Sequence, residues 1–382
     1  MNRLILIGNG FDLAHGLKTG YVDFIKWYIK DQLTKFIQHQ PYDDQLILIV
    51  ATEMYPGNHS LNLIDKWVEE CYQDGFDLNK LGEGMRGFDQ AQNNVILYPF
   101  GISPTSKFLR ALVEQCSLKR WVDVEGVFYE RLSYILELKS KNSLKEELLN
   151  DLNRDMRVLI ERLHNYLSSL EKPPIIKEYA QILSSAVRIV DLDSQTMKRL
   201  QSFVINDPDP GATQILNFNY TATIEQYVPS QFKNSPRNFS INYIHGELNN
   251  AKNPIVFGFG DELDERYLQM EREKAKGYFN HIKSFWYFRT SHYRELVRFI
   301  DNSEYQVIVL GHSCGLSDRT MLHMILEHVN CKSVKIYYHG DEDENNYTDI
   351  TYEIARHFKN KSVMRDRIVS LDRSEPMPQF EA

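Results

Sequence analysis

The sequence predicts an α/β protein with a Rossmann-like, mostly parallel sheet, helices on both faces, and a large helical insertion after the first strand. Three observations predict it. A continuous apolar run, Leu4 to Ile7, enters Gly8-Asn9-Gly10 with no polar interruption, the pattern of a buried parallel strand delivering the chain into a glycine turn. Further strand-like runs come much later, at 213–216, 241–244, 255–257, 306–310 and 333–338. Between about residues 21 and 206 the pattern is mainly helical. The division that follows is 1–20 plus 207–382 as a nucleotide-binding α/β domain and 21–206 as the insertion.

Helices are expected over 21–38, 60–72, 106–116 and 128–138, and most clearly from Leu144 to about Leu170. There Leu148, Leu152, Met156, Leu159, Leu163 and Leu167 recur at steps of three or four. Ser143 and Glu146 have capping-box spacing, and Pro173-Pro174 provides the stop. Residues 73–104, with Gly75, Gly82, Gly84, Gly87 and Gly101, read as a long irregular loop. The acidic cluster 341–346 reads as a solvated loop, because it lacks a cation-ligand pattern.

Bulk properties narrow the classes of partner. A chain of 382 residues can bury a sizeable core. Its net charge of −8 argues against broad binding to nucleic-acid phosphates, so nucleic acid is not an expected partner. No apolar run approaches the roughly 20 residues that span a bilayer, and no membrane is expected. Cys71, Cys116, Cys314 and Cys331 are scattered without a Cys-x-x-Cys pair, which suits reduced cytosolic thiols and argues against structural zinc. A soluble, cytoplasmic protein without a metal is the expectation.

Four motifs follow predicted strands, where open α/β sheets bind ligands. Gly8 and Gly10 allow a close backbone approach such as a pyrophosphate needs, with Asn9, Phe11 and Asp12 beside them. The turn is not the usual dinucleotide fingerprint, since Leu13 stands where the third glycine belongs, and no Gly-Lys-Ser/Thr follows. A tight strand-to-helix turn without ligand is the alternative. Asn217-Phe218-Asn219 ends the second strand. An Asn amide can both donate to and accept from ribose hydroxyls, although Asn at a helix entrance also serves as a cap. His245-Gly246 ends the third, with an imidazole whose ordinary pKa suits general acid–base work; a structural His-Gly is the plainer reading. Gly311-His312-Ser313 ends the fifth, at 306–310, its small residues suited to an adenosine ribose or a phosphate, with Ser317 or Asp318 as a cap for a helix running to about His328. The spacing Gly311-x-Ser313-x-Gly315 also admits a serine esterase with His339 as partner. In the insertion, Trp121-x-Asp123-x-Glu125 could bring acidic groups to a cleft or simply start a helix.

These motifs, in this order, resemble the AbiH bacteriophage abortive-infection family, over residues 2–20 and about 210–330 and more loosely in the insertion. They are also similar to sirtuin-like NAD-hydrolase domains. Gly8, Gly10, Asp12, Ala14, Gly16 and Leu17 match the first NAD-binding motif of those domains when Ser or Asp is allowed at position 12, and Asn219-Tyr-Thr-Ala-Thr-Ile-Glu resembles their Asn-Tyr-Asp-x-Leu-Ile-Glu. The resemblance implies an antiphage protein that hydrolyses NAD to nicotinamide and ADP-ribose. Asn219 would orient the nicotinamide ribose and the water, and His245 would act as base. Gly8, Asn9, Gly10, Phe11, Asp12, Asn217, Gly246, Gly311, His312 and Ser313 would contact the dinucleotide. A phage-derived trigger and a homo-oligomer are compatible with it; a nucleotide-binding sensor or interaction module without turnover is the alternative. The chain departs from the sirtuin pattern in Asp12 for Ser, in Thr221 for Asp, and in lacking zinc cysteines, so a protein deacylase is not implied.

Overall fold

The computed structural model describes residues 1–380 except 39, 41–44, 52–60, 73–85, 90–93, 98–99, 119–123, 203–205 and 229–238. Its organising element is a six-stranded sheet built from β1 (Asn2–Ile7), β6 (Thr213–Asn217), β7 (Phe239–Tyr243), β8 (Tyr305–Leu310), β9 (Cys331–Tyr338) and β10 (Glu375–Pro376). The order across the sheet is β10-β9-β8-β1-β6-β7, and every pairing in it is parallel. All residues of β1, β6 and β8 are buried. Within them Leu4–Ile7, Ile215–Leu216 and Val307–Leu310 are apolar because both faces of the sheet are covered.

The two-residue period of a strand divides the core between those faces. Leu4, Leu6, Leu216, Val307, Val309, Val334 and Ile336 form one cluster with Leu296, Ile325 and Ile354 of the helices His292–Asn302, Arg319–Glu327 and Tyr347–Ala355. Ile5, Ile7, Ile215, Ile308, Leu310 and Tyr337 form the other, with Phe11 of helix Asn9–Ala14 and Tyr179 of helix Lys177–Ser184. The chain moves from β1 to β6 on one side and from β8 to β9 on the other. The carboxyl ends of β1 and β8 therefore flank the topological switch point.

Two compact units are present. The first comprises Met1–Lys18, Leu170–Arg272 and His281–Ala382, and the second Thr19–Ser169 with Glu273–Asn280. Residues 170–206, assigned to the insertion by the sequence reading, thus group with the sheet. Arg3 is one tie, its guanidinium donating to Ser185 O (2.7 Å) and Ala186 O (3.0 Å). The second unit holds the helices Tyr21–Ile37, Leu61–Glu70, Lys107–Leu118, Val124–Glu137 and Asn142–Ser168.

Three local expectations are corrected. The described part of 73–104 is regular. β3 (Arg86–Asp89) pairs antiparallel with β4 (Asn94–Leu97), and β2 (Ile47–Ala51) with β5 (Phe100–Pro104). Gly87 and Gly101, read as loop markers, sit in register with Ile96 and Val50. Ser143 lies inside the long helix, whose N-cap is Lys141 with no side-chain cap bond, so no capping box forms. Residues 255–257 are not a strand: Val256 N–H donates to His245 O (2.7 Å), folding this segment over the end of β7.

Candidate functional site

Four loops meet at the carboxyl edge of β7-β6-β1-β8. At the switch point the loops after β1 and β8 touch. Gly10 N–H donates to Gly311 O (2.8 Å); a Cβ on Gly8 would lie 2.5 Å from His312 Cα, and one on Gly10 2.8 Å from Gly311 O. Gly311 has φ +76°, and its own Cβ would lie 2.2 Å from Phe11 N, so this position needs glycine on both counts. The sequence signal for close backbone approach is therefore met by the protein's own backbone. Phe11 points into the core, its ring 4.5 Å from His15 and 4.8 Å from Tyr179, leaving only its backbone toward the edge.

The loop after β6 is built on its two asparagines. Asn217, fully buried, accepts from Asn219 N–H (3.1 Å) and donates to Thr221 O (3.3 Å), a side-chain turn that replaces the helix expected near Thr221. A short 3-10 helix, Thr223–Tyr227, follows instead. Asn219 donates to Gly8 O (3.0 Å), joining this loop to the β1 exit. Beside that bond, Thr221 donates to the buried Asp12 carboxylate (2.5 Å). Burial pushes the Asp12 carboxyl up to about 6, against hydrogen bonds from Thr221, Thr223 and Asn219. Asp12 and Thr221, the two positions noted as departing from the sirtuin pattern, thus form one carboxylate–hydroxyl pair in this chain.

The loops after β7 and β8 form a second cluster. His245 is 5% exposed; its Nε2 lies 3.1 Å from Asp318 Oδ1 and 3.3 Å from the Tyr287 hydroxyl. Gly246 has φ +87°, and its Cβ position is filled by Pro254 O. His312 Nδ1 accepts from Cys314 N–H (3.0 Å), while its Nε2 lies 3.6 Å from Asp318 Oδ2. Lys283, at the start of the short helix Lys283–Trp286, is 1% exposed and donates to Asp318 Oδ1 (2.8 Å). Phe218 joins the two clusters through its sequence neighbours and lies 4.9 Å from the His245 ring and 4.1 Å from that of His312.

Asp318 corrects its predicted role. It occupies the N-cap position of the helix Arg319–Glu327 yet makes no side-chain cap bond, forgoing a contribution typically worth about 1 kcal/mol. Its carboxylate faces His245, His312 and Lys283. Burial alone would raise this carboxyl, but Lys283 and His245 outweigh it and hold Asp318 well below the usual carboxylate range. Burial, reinforced by Lys283, lowers His245 to about 4, against the opposing pull of Asp318; the imidazole is neutral at pH 7.

Of the predicted dinucleotide contacts, the structure brings Gly8, Gly10, Asp12, Asn217, Asn219, His245, Gly246, Gly311 and His312 to one edge. Asn9 is half-buried at the same turn, and Ser313 is exposed. The left-handed residues of that turn are Gly311 and Cys314, with φ +76° and +55°, so Ser313 does not occupy the strained position of a nucleophile elbow. Trp121 and Asp123 lie outside the described residues, and Glu125 is buried in the second unit. Sequence reasoning missed Lys283 and Tyr287. Lys283 carries no signal beyond its place in an aromatic-rich stretch.

The fold and site define an α/β protein with a buried polar cluster at the carboxyl edge of a parallel sheet. The chain matches the family model for bacteriophage abortive infection AbiH over residues 4–339 and belongs to that family. Its role is accordingly an antiphage, abortive-infection one. No curated protein and no solved structure matches the chain. Among the described residues, no helix is long and apolar enough to cross a membrane.

Proposed function

We propose that this protein hydrolyses NAD to nicotinamide and ADP-ribose at the carboxyl edge of β7-β6-β1-β8. The observation that supports this reading best is that Asn219 and His245 stand at the exits of adjacent parallel strands, with Phe218 against the imidazole. The bond between nicotinamide nitrogen and ribose carbon breaks through an oxocarbenium-like state. Nicotinamide leaves as a neutral base, water adds its oxygen to the ribose carbon, and the proton passes to the neutral His245. A positioned base of this kind contributes about 10²–10⁴ in rate, and Asn219 would hold the ribose hydroxyl and the water.

The pyrophosphate cradle does not fit a ligand in this conformation. The Gly10 amide already serves Gly311 O, and the Cβ positions of Gly8 and Gly10 are filled by the 311–312 backbone. On this reading the 311–313 loop withdraws before the dinucleotide enters, which would keep a self-harming activity silent until a phage-derived trigger arrives. The test is nicotinamide release from NAD by the purified protein, alone and with phage lysate. The expected result is release that falls at least 10²-fold in both Asn219→Ala and His245→Ala; release that survives both substitutions refutes the assigned roles.

A second reading has its own support. The Asn219 amide is committed to Gly8 O, and His245 is almost fully buried, as in a nucleotide sensor that does not turn its ligand over. Saturable binding of NAD or ADP-ribose without product over hours would favour it.

A further inference from the structure

We infer that Asp318 is the positioning residue for His245, fixing the imidazole with its proton on Nε2 so that Nδ1 is the nitrogen that accepts a proton, while Lys283 and His312 hold the carboxylate in place. The catalytic part of this inference rests on the NAD-hydrolase reading; the tautomer does not.

The hydrogen-bond accounting forces the assignment. An ionised carboxylate only accepts. Its Oδ1 faces Lys283 Nζ at 2.8 Å and His245 Nε2 at 3.1 Å, so the His245 proton on that side sits on Nε2. His312 reaches the same state by another route. Its Nδ1 accepts from Cys314 N–H, so its proton lies on Nε2, the nitrogen 3.6 Å from Asp318 Oδ2. One ammonium and one carboxylate balance, and the His245 imidazole is neutral. The titratable groups facing His245 are Asp318, Lys283, His312 and Tyr287. With Nε2 engaged, the lone pair left for chemistry is on Nδ1. Which imidazole nitrogen carries the proton is set by the partner of the other.

The arrangement is not explained by stability alone. Asp318 stands where it could cap a helix and does not. A buried ion pair adds little net stability over an apolar substitute of similar shape. What it does provide is orientation. Replacing the orienting carboxylate of a catalytic histidine by its amide can cost about 10⁴ in turnover through the wrong tautomer alone.

The experiment pairs two readouts. Long-range ¹⁵N–¹H spectra of the imidazoles, with the His245 signal identified by its loss in His245→Gln, report the tautomer in the full-length protein and in Asp318→Asn. Nicotinamide release reports turnover. Wild type is expected to show His245 with Nε2 protonated. Asp318→Asn is expected to mix or reverse the tautomers and to lower kcat by about 10²–10⁴-fold, with KM for NAD changed less than about threefold. Asp318→Glu should recover part of kcat. A wild-type His245 with its proton on Nδ1 overturns the inference, and so does an Asp318→Asn variant with unchanged tautomer and unchanged kcat. Should Asp318→Asn not fold, the wild-type spectrum decides. Should the wild type release no nicotinamide while His245 keeps its Nε2 proton, the hydrolase reading fails and the positioning of His245 by Asp318 stands.

Discussion

Two buried carboxylates sit at the same sheet edge and meet opposite fates. Asp12 is surrounded by the neutral donors Thr221, Thr223 and Asn219, and burial raises its carboxyl to about 6. Asp318 is also buried, yet Lys283 at 2.8 Å holds it ionised well below the ordinary range. Hydroxyls and amides favour the ionised form of a buried carboxyl weakly; a buried ammonium favours it strongly. The edge therefore has one carboxyl poised to gain or lose a proton in mildly acidic conditions and one committed to its charge. The committed one touches the candidate base.

Lys283→Met breaks that difference most severely. It strands Asp318 as an uncompensated buried charge, and unfolding in urea should show a loss of about 3–5 kcal/mol. A loss under 1 kcal/mol would mean that water reaches the cluster.

The pH dependence sharpens the comparison at intermediate size. Asp12 is raised from its unfolded value, so the folded state holds the extra proton and the stability due to this group falls as pH rises from about 4 to 6. His245 is lowered to about 4, so the unfolded state binds the extra proton and stability due to this group rises between about 4 and 6.5. Each effect is on the order of 3 kcal/mol, and they oppose each other across nearly the same window. Wild type minus Asp12→Asn should slope downward with pH, and wild type minus His245→Gln upward. Denaturant titrations at pH 4, 5, 6 and 7 read both slopes, and two slopes of one sign would contradict the assignment.

The smallest effect belongs to the Asp12–Thr221 pair. Thr221→Asp alone sets two carboxylates side by side, whereas Asp12→Ser with Thr221→Asp restores the carboxylate–hydroxyl pairing with its ends reversed. The double variant should be more stable than the sum of the single changes by about 1 kcal/mol in thermal or urea unfolding. Strict additivity would show that the 2.5 Å contact carries no coupling.

Strands buried on both faces are legible where they leave continuous apolar runs, as Leu4–Ile7 of β1 and Val307–Leu310 of β8 do. Residues 255–257 look the same in composition, but the Val256 N–H serves the β7 exit instead of a neighbouring strand. The glycines at 8, 10, 246 and 311 announced close approach without saying to what. In each case the answer is another stretch of this chain. Asp318 was visible only as a cap, since an acidic residue at a helix start reads that way whichever direction its side chain takes. Lys283 was hidden because its partner lies 35 positions along the chain, and no local pattern marks a lysine that will be buried.

The most direct test of the proposed hydrolase site is a crystal structure of the protein with ADP-ribose. The reading predicts the ribose carbon between the Asn219 amide and His245 Nδ1, with the 311–313 loop drawn back from Gly8. Ligand bound elsewhere, or at this edge with His245 still sealed behind Asp318 and Tyr287 and out of reach of the sugar, would contradict it.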